Sequence, residues 1–186
     1  MVLLESQVKL KAGDSAPDFE LLGIDDKNHK LSDYDNYEGK LVIFMCNHCP
    51  YVKAKFDAFN ELYEKFSDKI AIVGINSNDS TDYPEDSFEN MKKTAQEKGM
   101  KFDYLVDETQ EVAKRYGAMC TPDPFLFNKD GKLVFHGRID NAMKPDDTAT
   151  EKTMALNIEK LLSNQDRKST RLNSSHSSVS RMPSSA

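Results

Sequence analysis

Two cysteines three positions apart, Cys46 and Cys49, lie between a strand-like segment and a helix-like segment. The preceding run, Leu41–Met45, is continuously apolar and has the length of a strand that is buried on both faces. After Cys49, apolar residues recur at spacings of four, three, four and three, as in an amphipathic helix; they are Val52, Phe56, Phe59, Tyr63 and Phe66. This placement predicts an α/β fold with both thiols at the carboxyl end of a central strand.

The rest of the chain also alternates buried strands with helices. A hairpin formed by Phe19–Leu22 and a segment ending at Leu31 comes first, and residues 76–84 form a polar loop. The remaining predicted strands are Ile70–Ile75, Tyr104–Val106, Pro124–Phe127 and Leu133–Phe135, and the remaining predicted helices cover about 85–98, 108–116 and 150–162. This order predicts one domain, residues 1–165, with a central mixed sheet flanked by helices and an N-terminal hairpin extension.

The composition changes abruptly after Gln165. Residues 166–186 are rich in serine and arginine and contain almost no apolar side chains. A disordered tail is one interpretation. However, the segment DRKSTRLNSSH also back-translates to a sequencing-library adaptor, and an eleven-residue match in one frame favours that origin. We therefore expect a non-native tail without regular structure that contacts the core.

Charge and hydropathy exclude several classes of function. The net charge of −6 disfavours a nucleic-acid partner, which requires a basic surface. The apolar run Leu41–Met45 is too short to span a bilayer, and Glu5 interrupts any leader-like segment, so neither membrane insertion nor export is expected. Three cysteines, an odd and small number, are atypical of a disulfide-stapled secreted domain. These observations predict a cytoplasmic protein.

The spacing of Cys46 and Cys49 predicts a redox dithiol. The thiolate is the nucleophile and a helix N-terminus favours it, so we expect Cys46 to be the more acidic, attacking thiol and Cys49 the resolving thiol. Pro50 suits the first helical turn, where its missing N–H costs nothing. His48 either lowers the pKa of Cys46 as an imidazolium or is an exposed residue without an electrostatic role. Since Leu41–Met45 contains no acid, no buried proton acceptor is apparent below the dithiol.

Several longer segments carry a resemblance to a known family: GDSAPDFEL, CNHCPYVK, YPEDSFENMK, YLVDETQEVAKRYGA, CTPDPFLF and HGRIDN. Through them the chain resembles the thioredoxin-like superfamily from about Gly13 to Gln165, and within it the peroxiredoxin-like (AhpC/TSA, redoxin) branch with a CNHCPYV motif. The resemblance implies a thioredoxin-like fold and thiol–disulfide oxidoreductase activity. The implied partners are protein or small-molecule disulfides and a thiol reductant, and no cofactor is expected.

The dipeptide Thr121-Pro122 precedes the predicted strand Pro124–Phe127. Members of the superfamily carry a cis-proline in such a dipeptide, facing the CxxC motif, and the residue before it offers its backbone to the substrate chain. The resemblance therefore implies a cis bond here and a substrate-binding role for Thr121 and Pro122. An ordinary trans proline is the alternative, and the matching order of elements favours the cis form.

Two other functions stay open. The first is a thiol peroxidase with Cys49 as the peroxidatic residue. Related peroxidases place Thr three residues earlier, where this chain has Cys46, and residues 120–124 offer no Arg, so dithiol exchange is favoured. The second is a copper or zinc module that uses Cys46, Cys49 and Cys120, with or without His48. Cys120 could equally be a second resolving thiol or a small buried residue.

Overall fold

The computed structural model describes the backbone of residues 10–176 and the side chains of residues 10–164. Within this range the strands are β1 (Glu20–Gly23), β2 (Asn28–Lys30), β3 (Gly39–Phe44), β4 (Ile70–Asn76), β5 (Asp103–Val106), β6 (Asp123–Asn128) and β7 (Leu133–His136). The helices are α1 (Pro50–Lys53), α2 (Phe56–Phe66), α3 (Phe88–Glu97), α4 (Glu111–Tyr116) and α5 (Thr153–His176). Short 3-10 turns occupy Leu31–Tyr34 and Pro84–Asp86.

The seven strands form one sheet in the order β2-β1-β5-β4-β3-β6-β7. The central strands β3, β4 and β5 run parallel, whereas the flanking pairs β6–β7 and β1–β2 join the sheet antiparallel. The predicted α/β fold, with a central mixed sheet and an N-terminal hairpin extension, is confirmed. Because β3 and β4 are parallel, Phe44 and Asn76 end their strands at the same edge of the sheet.

Side chains of β3 alternate between two apolar clusters, one on each face of the sheet. Leu41 and Ile43 belong to the cluster that includes residues of α2 and α5, namely Phe56, Phe59, Phe66, Met154 and Ile158. Val42 and Phe44 belong to the cluster that includes Val112 and Tyr116 of α4. All residues of β3 are buried, as the continuous apolar run predicts.

The long helix expected after the dithiol is broken into α1 and α2. Lys55 adopts φ −113° and ψ 0° before α2, and its amide N–H bonds the carbonyl of Val52, three residues back. Its ammonium group donates to Asp140 at 2.5 Å and to the Ala142 carbonyl at 3.1 Å. The interruption therefore coincides with a tertiary ion pair, which periodicity cannot reveal.

The helix expected from about residue 85 begins instead at Phe88. Ser87 is extended (φ −59°, ψ 151°) and its hydroxyl accepts the Asn90 amide N–H at 3.4 Å, which caps α3. Residues Pro84–Asp86 form a separate 3-10 turn. As a result Asp86 is free to face the carboxyl ends of β3 and β4 instead of lying on a helix surface.

The last helix begins at Thr153 and continues to His176, past the predicted domain end at Gln165. Regular backbone structure thus extends into the segment expected to have no regular structure that contacts the core, and the side chains that would make such contacts lie outside the described residues. Met154, Ile158 and Leu161 supply the buried contacts of the described part of α5.

Among the described residues, none of the helices combines the length and the apolar character needed to cross a membrane.

Candidate active site around the Cys46–Cys49 dithiol

The end of β3 and the start of α1 position the two thiols. The Met45 amide donates to the Ile75 carbonyl of β4 at 2.9 Å, which holds the chain against the sheet up to Cys46. Cys46 is completely buried. Cys49 is half-buried, is the N-cap residue of α1, and its carbonyl accepts amide N–H groups of the first turn. Cys46 and Cys49 are both free thiols.

Thr121 contacts both thiols of the motif. Its Oγ1 lies 3.2 Å from the Cys46 Sγ, and its carbonyl accepts the Cys49 S–H at 3.4 Å. The Thr121-Pro122 bond is cis, as the resemblance implied. The loop before β6 and the dithiol, separated by more than seventy residues in sequence, therefore form one site.

A buried acid, Asp86, lies in this site although β3 itself contains no Asp or Glu. One carboxylate oxygen accepts the Asn47 amide at 2.5 Å and the Asn76 side chain at 3.2 Å. The other accepts from His48 Nδ1 at 2.5 Å and from Asn78 at 3.3 Å. The expectation of no buried acid near the dithiol was wrong, because the acid comes from the loop after the neighbouring parallel strand β4.

His48 is held on two sides. Its Nδ1 faces Asp86, and its ring stacks on Tyr83 with centroids 4.0 Å apart and planes within 5°. Next to it, the Asn47 side chain donates to the Glu85 carbonyl at 2.8 Å and accepts from Tyr104 Oη at 3.1 Å. The two residues between the cysteines therefore anchor the motif to the 3-10 turn and to β5.

Burial dominates the titration of Cys46. Loss of solvent raises the pKa of this thiol, hydrogen bonds from the Thr121 hydroxyl and the Cys49 backbone lower it, and the charge of Asp86 raises it further. The pKa shift is therefore upward, against the expected acidic Cys46. The reasons are complete burial and a first helix of a single turn, which offers little dipole.

A cavity of about 380 Å³ opens beside the motif. Of the described cysteines, Cys49 and Cys120 line it and Cys46 does not. His48 and Thr121 also contribute to its wall. Cys120 itself is exposed, so it is not the small buried residue considered from the sequence.

The three-cysteine metal set is not assembled in the described part of the chain. Potential ligand atoms of Cys46, His48 and Asp86 lie within 4.8 Å of one another, and this group includes neither Cys49 nor Cys120. Where the sequence suggested three thiolates as metal ligands, the structure instead brings together one thiol, one imidazole and one carboxylate.

Comparisons with known proteins identify related sequences and folds. Residues 12–136 match the AhpC/TSA family. Thiol-disulfide oxidoreductase ResA of Bacillus anthracis is 30% identical over 127 residues, covering 68% of this chain and 69% of the relative. An uncharacterized conserved protein from Geobacillus kaustophilus is 42% identical with a TM-score of 0.70, and the likeness covers 74% of each chain. The fold is also similar to the thioredoxin domain of a Bacteroides vulgatus thiol-disulfide oxidoreductase, with 20% identity, a TM-score of 0.61, and coverage of 70% and 90%.

Proposed function

Because the chain belongs to the AhpC/TSA family and has a thioredoxin-like fold, we propose that it is a thiol–disulfide oxidoreductase whose redox couple is Cys46 and Cys49. The contact of Thr121 with both sulfurs carries this proposal. It brings the substrate-binding loop of the fold to the two thiols that can form a disulfide. The relative from Bacillus anthracis that is 30% identical to this chain bears the same activity in its name.

The reaction needs only the two motif thiols. The Cys46 thiolate attacks a substrate disulfide, a Cys46–substrate disulfide forms, and one substrate thiolate leaves. The Cys49 thiolate then attacks the Cys46 sulfur, which forms the Cys46–Cys49 disulfide and releases the second substrate thiolate. The substrate gains two electrons and two protons, and an external thiol reductant restores the dithiol. Thr121 and Pro122 shape the groove, and Pro50 lets α1 start directly after Cys49.

Burial sets a condition on this mechanism. Cys46 is 0% exposed, whereas Cys49 faces the cavity. Attack by Cys46 therefore requires local opening of the loop around Thr121, and the substrate approaches through the cavity that Cys49, Cys120 and Thr121 line. Protein or small-molecule disulfides and a thiol reductant are the proposed partners. A cytoplasmic location belongs to the same proposal and is checked by fractionation of cells that express the natural gene.

One observation favours a second candidate, a thiol peroxidase with Cys49 as the attacking residue. Cys49 is the motif thiol that the cavity exposes. Among the described residues, the cavity wall contains Lys114 but no Arg. The arginine that would polarise a peroxide is therefore missing from this wall, and the lysine in its place forms an ion pair with Glu111. Dithiol exchange therefore remains the better-supported function.

Insulin reduction by cysteine variants tests the proposal. Cys46→Ser and Cys49→Ser should each abolish turnover, whereas Cys120→Ala should retain most of it because dithiol exchange needs no third thiol. Mass-spectrometric mapping of mixed disulfides in Cys49→Ser should find the substrate on Cys46. A substrate trapped on Cys49 in Cys46→Ser, together with oxidation of that variant by peroxide, would assign the protein to the peroxidase class.

A further inference from the structure

Asp86 is a fully buried carboxylate whose charge lacks a lysine or arginine partner within the described structure. Its side chain has 0% exposure, and its only ion-pair partner there is His48. Its other donors are neutral groups, namely the Asn47 amide and the side chains of Asn76 and Asn78. Burying a carboxylate without a cation is costly, and His48 is the ionisable partner that lies against Asp86.

The same two residues lie against the attacking thiol of the proposed reaction. A ring nitrogen of His48 and a carboxylate oxygen of Asp86 are within 4.8 Å of the Cys46 Sγ and of each other. His48 is 27% exposed and also forms part of the cavity wall. It is therefore within one water molecule of the buried thiol on one side and open to a substrate on the other.

We infer that His48 carries the proton between Cys46 and the substrate, and that Asp86 is the positioning residue that orients His48 and stabilises its protonated form. This inference rests on the proposed dithiol exchange. Tyr83 completes the unit by fixing the ring plane through the parallel stack. The arrangement uses the logic of a carboxylate, an imidazole and a nucleophile in series.

A proton fits the observed geometry better than a metal ion does. His48 Nδ1 and Asp86 Oδ2 point at each other across 2.5 Å, the separation of a hydrogen bond. Two ligands of one ion instead direct their lone pairs to a common point about 2 Å from each. Asp86 Oδ2 also accepts from Asn78, and Oδ1 accepts from Asn47 and Asn76, so both oxygens are already engaged by donors.

The proton balance follows the dithiol reaction. His48 takes the proton of the Cys46 thiol, and the thiolate attacks the substrate disulfide. The first leaving substrate thiolate takes the proton from the imidazolium, which restores neutral His48. When Cys49 closes the protein disulfide, its own proton passes to the second leaving thiolate. Asp86 stays ionised throughout and changes no covalent bond.

Two possible roles of Asp86 predict opposite changes in the reactivity of Cys46 when the carboxylate is removed. Acting on Cys46 alone, the carboxylate disfavours the thiolate, so Asp86→Asn should make the thiol more reactive at neutral pH. Acting through His48, it stabilises the imidazolium across a hydrogen bond of 2.5 Å, a separation at which Coulomb attraction is strong. The inference therefore predicts that Asp86→Asn makes Cys46 less reactive. Other titratable groups nearby are Cys49, Tyr83 and Tyr104. Asp86→Asn retains all three of these residues, so they do not account for a difference between the variant and the wild type.

The experiment measures the pH profile of iodoacetamide alkylation at Cys46 in the reduced full chain, by mass spectrometry of its peptide. Asp86→Asn and His48→Gln should both move the profile to higher pH and slow alkylation at pH 7 on the order of tenfold. The control is His29→Gln, which removes another histidine–aspartate contact, 2.9 Å from Asp25, in the β1–β2 hairpin. It should leave the profile unchanged. Far-UV circular dichroism checks that each variant is folded.

Three results would overturn the inference. Faster alkylation in Asp86→Asn would show that the carboxylate acts on the thiol only through its charge. An unchanged profile in both variants would show a structural role. Retention of one Zn²⁺ per reduced chain after dialysis, lost in Asp86→Asn, would place a metal where the proton is assigned. Since alkylation needs no turnover, a wild type that fails to reduce insulin refutes the oxidoreductase proposal without affecting this measurement.

Discussion

Among single residues, Thr121 joins the loop before β6 to the dithiol. Its hydroxyl lies 3.2 Å from the Cys46 sulfur, and this hydrogen bond lowers the pKa of a thiol whose pKa burial raises. Its carbonyl accepts from Cys49 at 3.4 Å. Thr121 therefore lowers the pKa of the buried Cys46 thiol and accepts a hydrogen bond from the Cys49 thiol. Through these two contacts the dipeptide before β6 affects the chemistry of both thiols.

Replacing the hydroxyl should make Cys46 less reactive. Thr121→Val keeps the side-chain volume but removes the hydrogen bond, so the pKa of Cys46 should rise further and its alkylation at pH 7 should slow roughly three- to tenfold. The control is Thr94→Val on α3. A profile for Thr121→Val at the wild-type position or at lower pH would contradict the assignment.

At the scale of elements, the ion pair between Lys55 and Asp140 marks the break between α1 and α2. The two side chains are only 12% and 7% exposed. Asp140 also accepts the Ala142 amide at 2.9 Å within the loop after β7, and its ion pair with Lys55 ties that loop to the start of α2. The break after the short α1 (Pro50–Lys53) therefore coincides with a contact between distant parts of the chain.

Breaking this pair should destabilise the fold. Asp140→Asn leaves the Lys55 ammonium buried without a counter-charge, at a cost of about 3 kcal/mol. Adding Lys55→Met should recover part of that loss. The exposed pair Lys65–Glu159 is the control, because Glu159→Gln should change the free energy of unfolding by no more than ~0.5 kcal/mol. Urea denaturation measures all four proteins, and equal losses for the two pairs would refute the importance of burial.

At the scale of the whole molecule, the sheet is covered on both faces and buries three tyrosines. Burial is the main cause that raises the pKa of Tyr34, Tyr104 and Tyr116. A group whose pKa is raised on folding favours the folded state below its unfolded pKa, about 10 for tyrosine, and loses that contribution as the pH rises. The stability of the chain should therefore fall above about pH 10.

Tyr116→Phe should weaken that alkaline loss. Among the described groups, none forms a hydrogen bond with the buried Tyr116 hydroxyl, so its removal should leave stability at pH 7 unchanged or raise it by about 1 kcal/mol. Tyr34→Phe is the contrasting variant, because its hydroxyl donates to Asp103 at 2.8 Å and its loss should cost about 1.5–3 kcal/mol. Urea unfolding between pH 7 and 11 checks both. Equal effects at pH 7 would contradict the difference in hydrogen bonding.

The change of composition after Gln165 bears on how much of the chain is native. We propose that the native domain ends at about Gln165 and that residues 166–186 derive from adaptor DNA. The backbone of α5 runs on to His176, so helical continuity alone does not mark the boundary. Resequencing the source gene should show a different continuation, and genomic DNA that encodes DRKSTRLNSSH in frame would refute the proposal.

Features that rest on local periodicity and spacing could be predicted from the amino-acid sequence alone. The α/β fold is predicted by the apolar run of β3 and the amphipathic stripe of α2. The dithiol is predicted by the position of Cys46 and Cys49 between these two segments. The family resemblance added the cis Thr121-Pro122 bond, which the structure confirms. Each of these features is encoded within a short stretch of the chain, so it can be recognised in a single sequence without knowledge of the tertiary structure.

The electrostatics of the site, in contrast, follow from contacts between residues that are distant in sequence. Asp86 reaches His48 and lies near Cys46 because Ser87 starts α3 late and because β3 and β4 end at the same sheet edge. The upward pKa shift of Cys46 likewise follows from burial by residues far away in sequence. Coulomb energy and desolvation depend on distance and burial in space, and a pattern along the chain carries neither quantity.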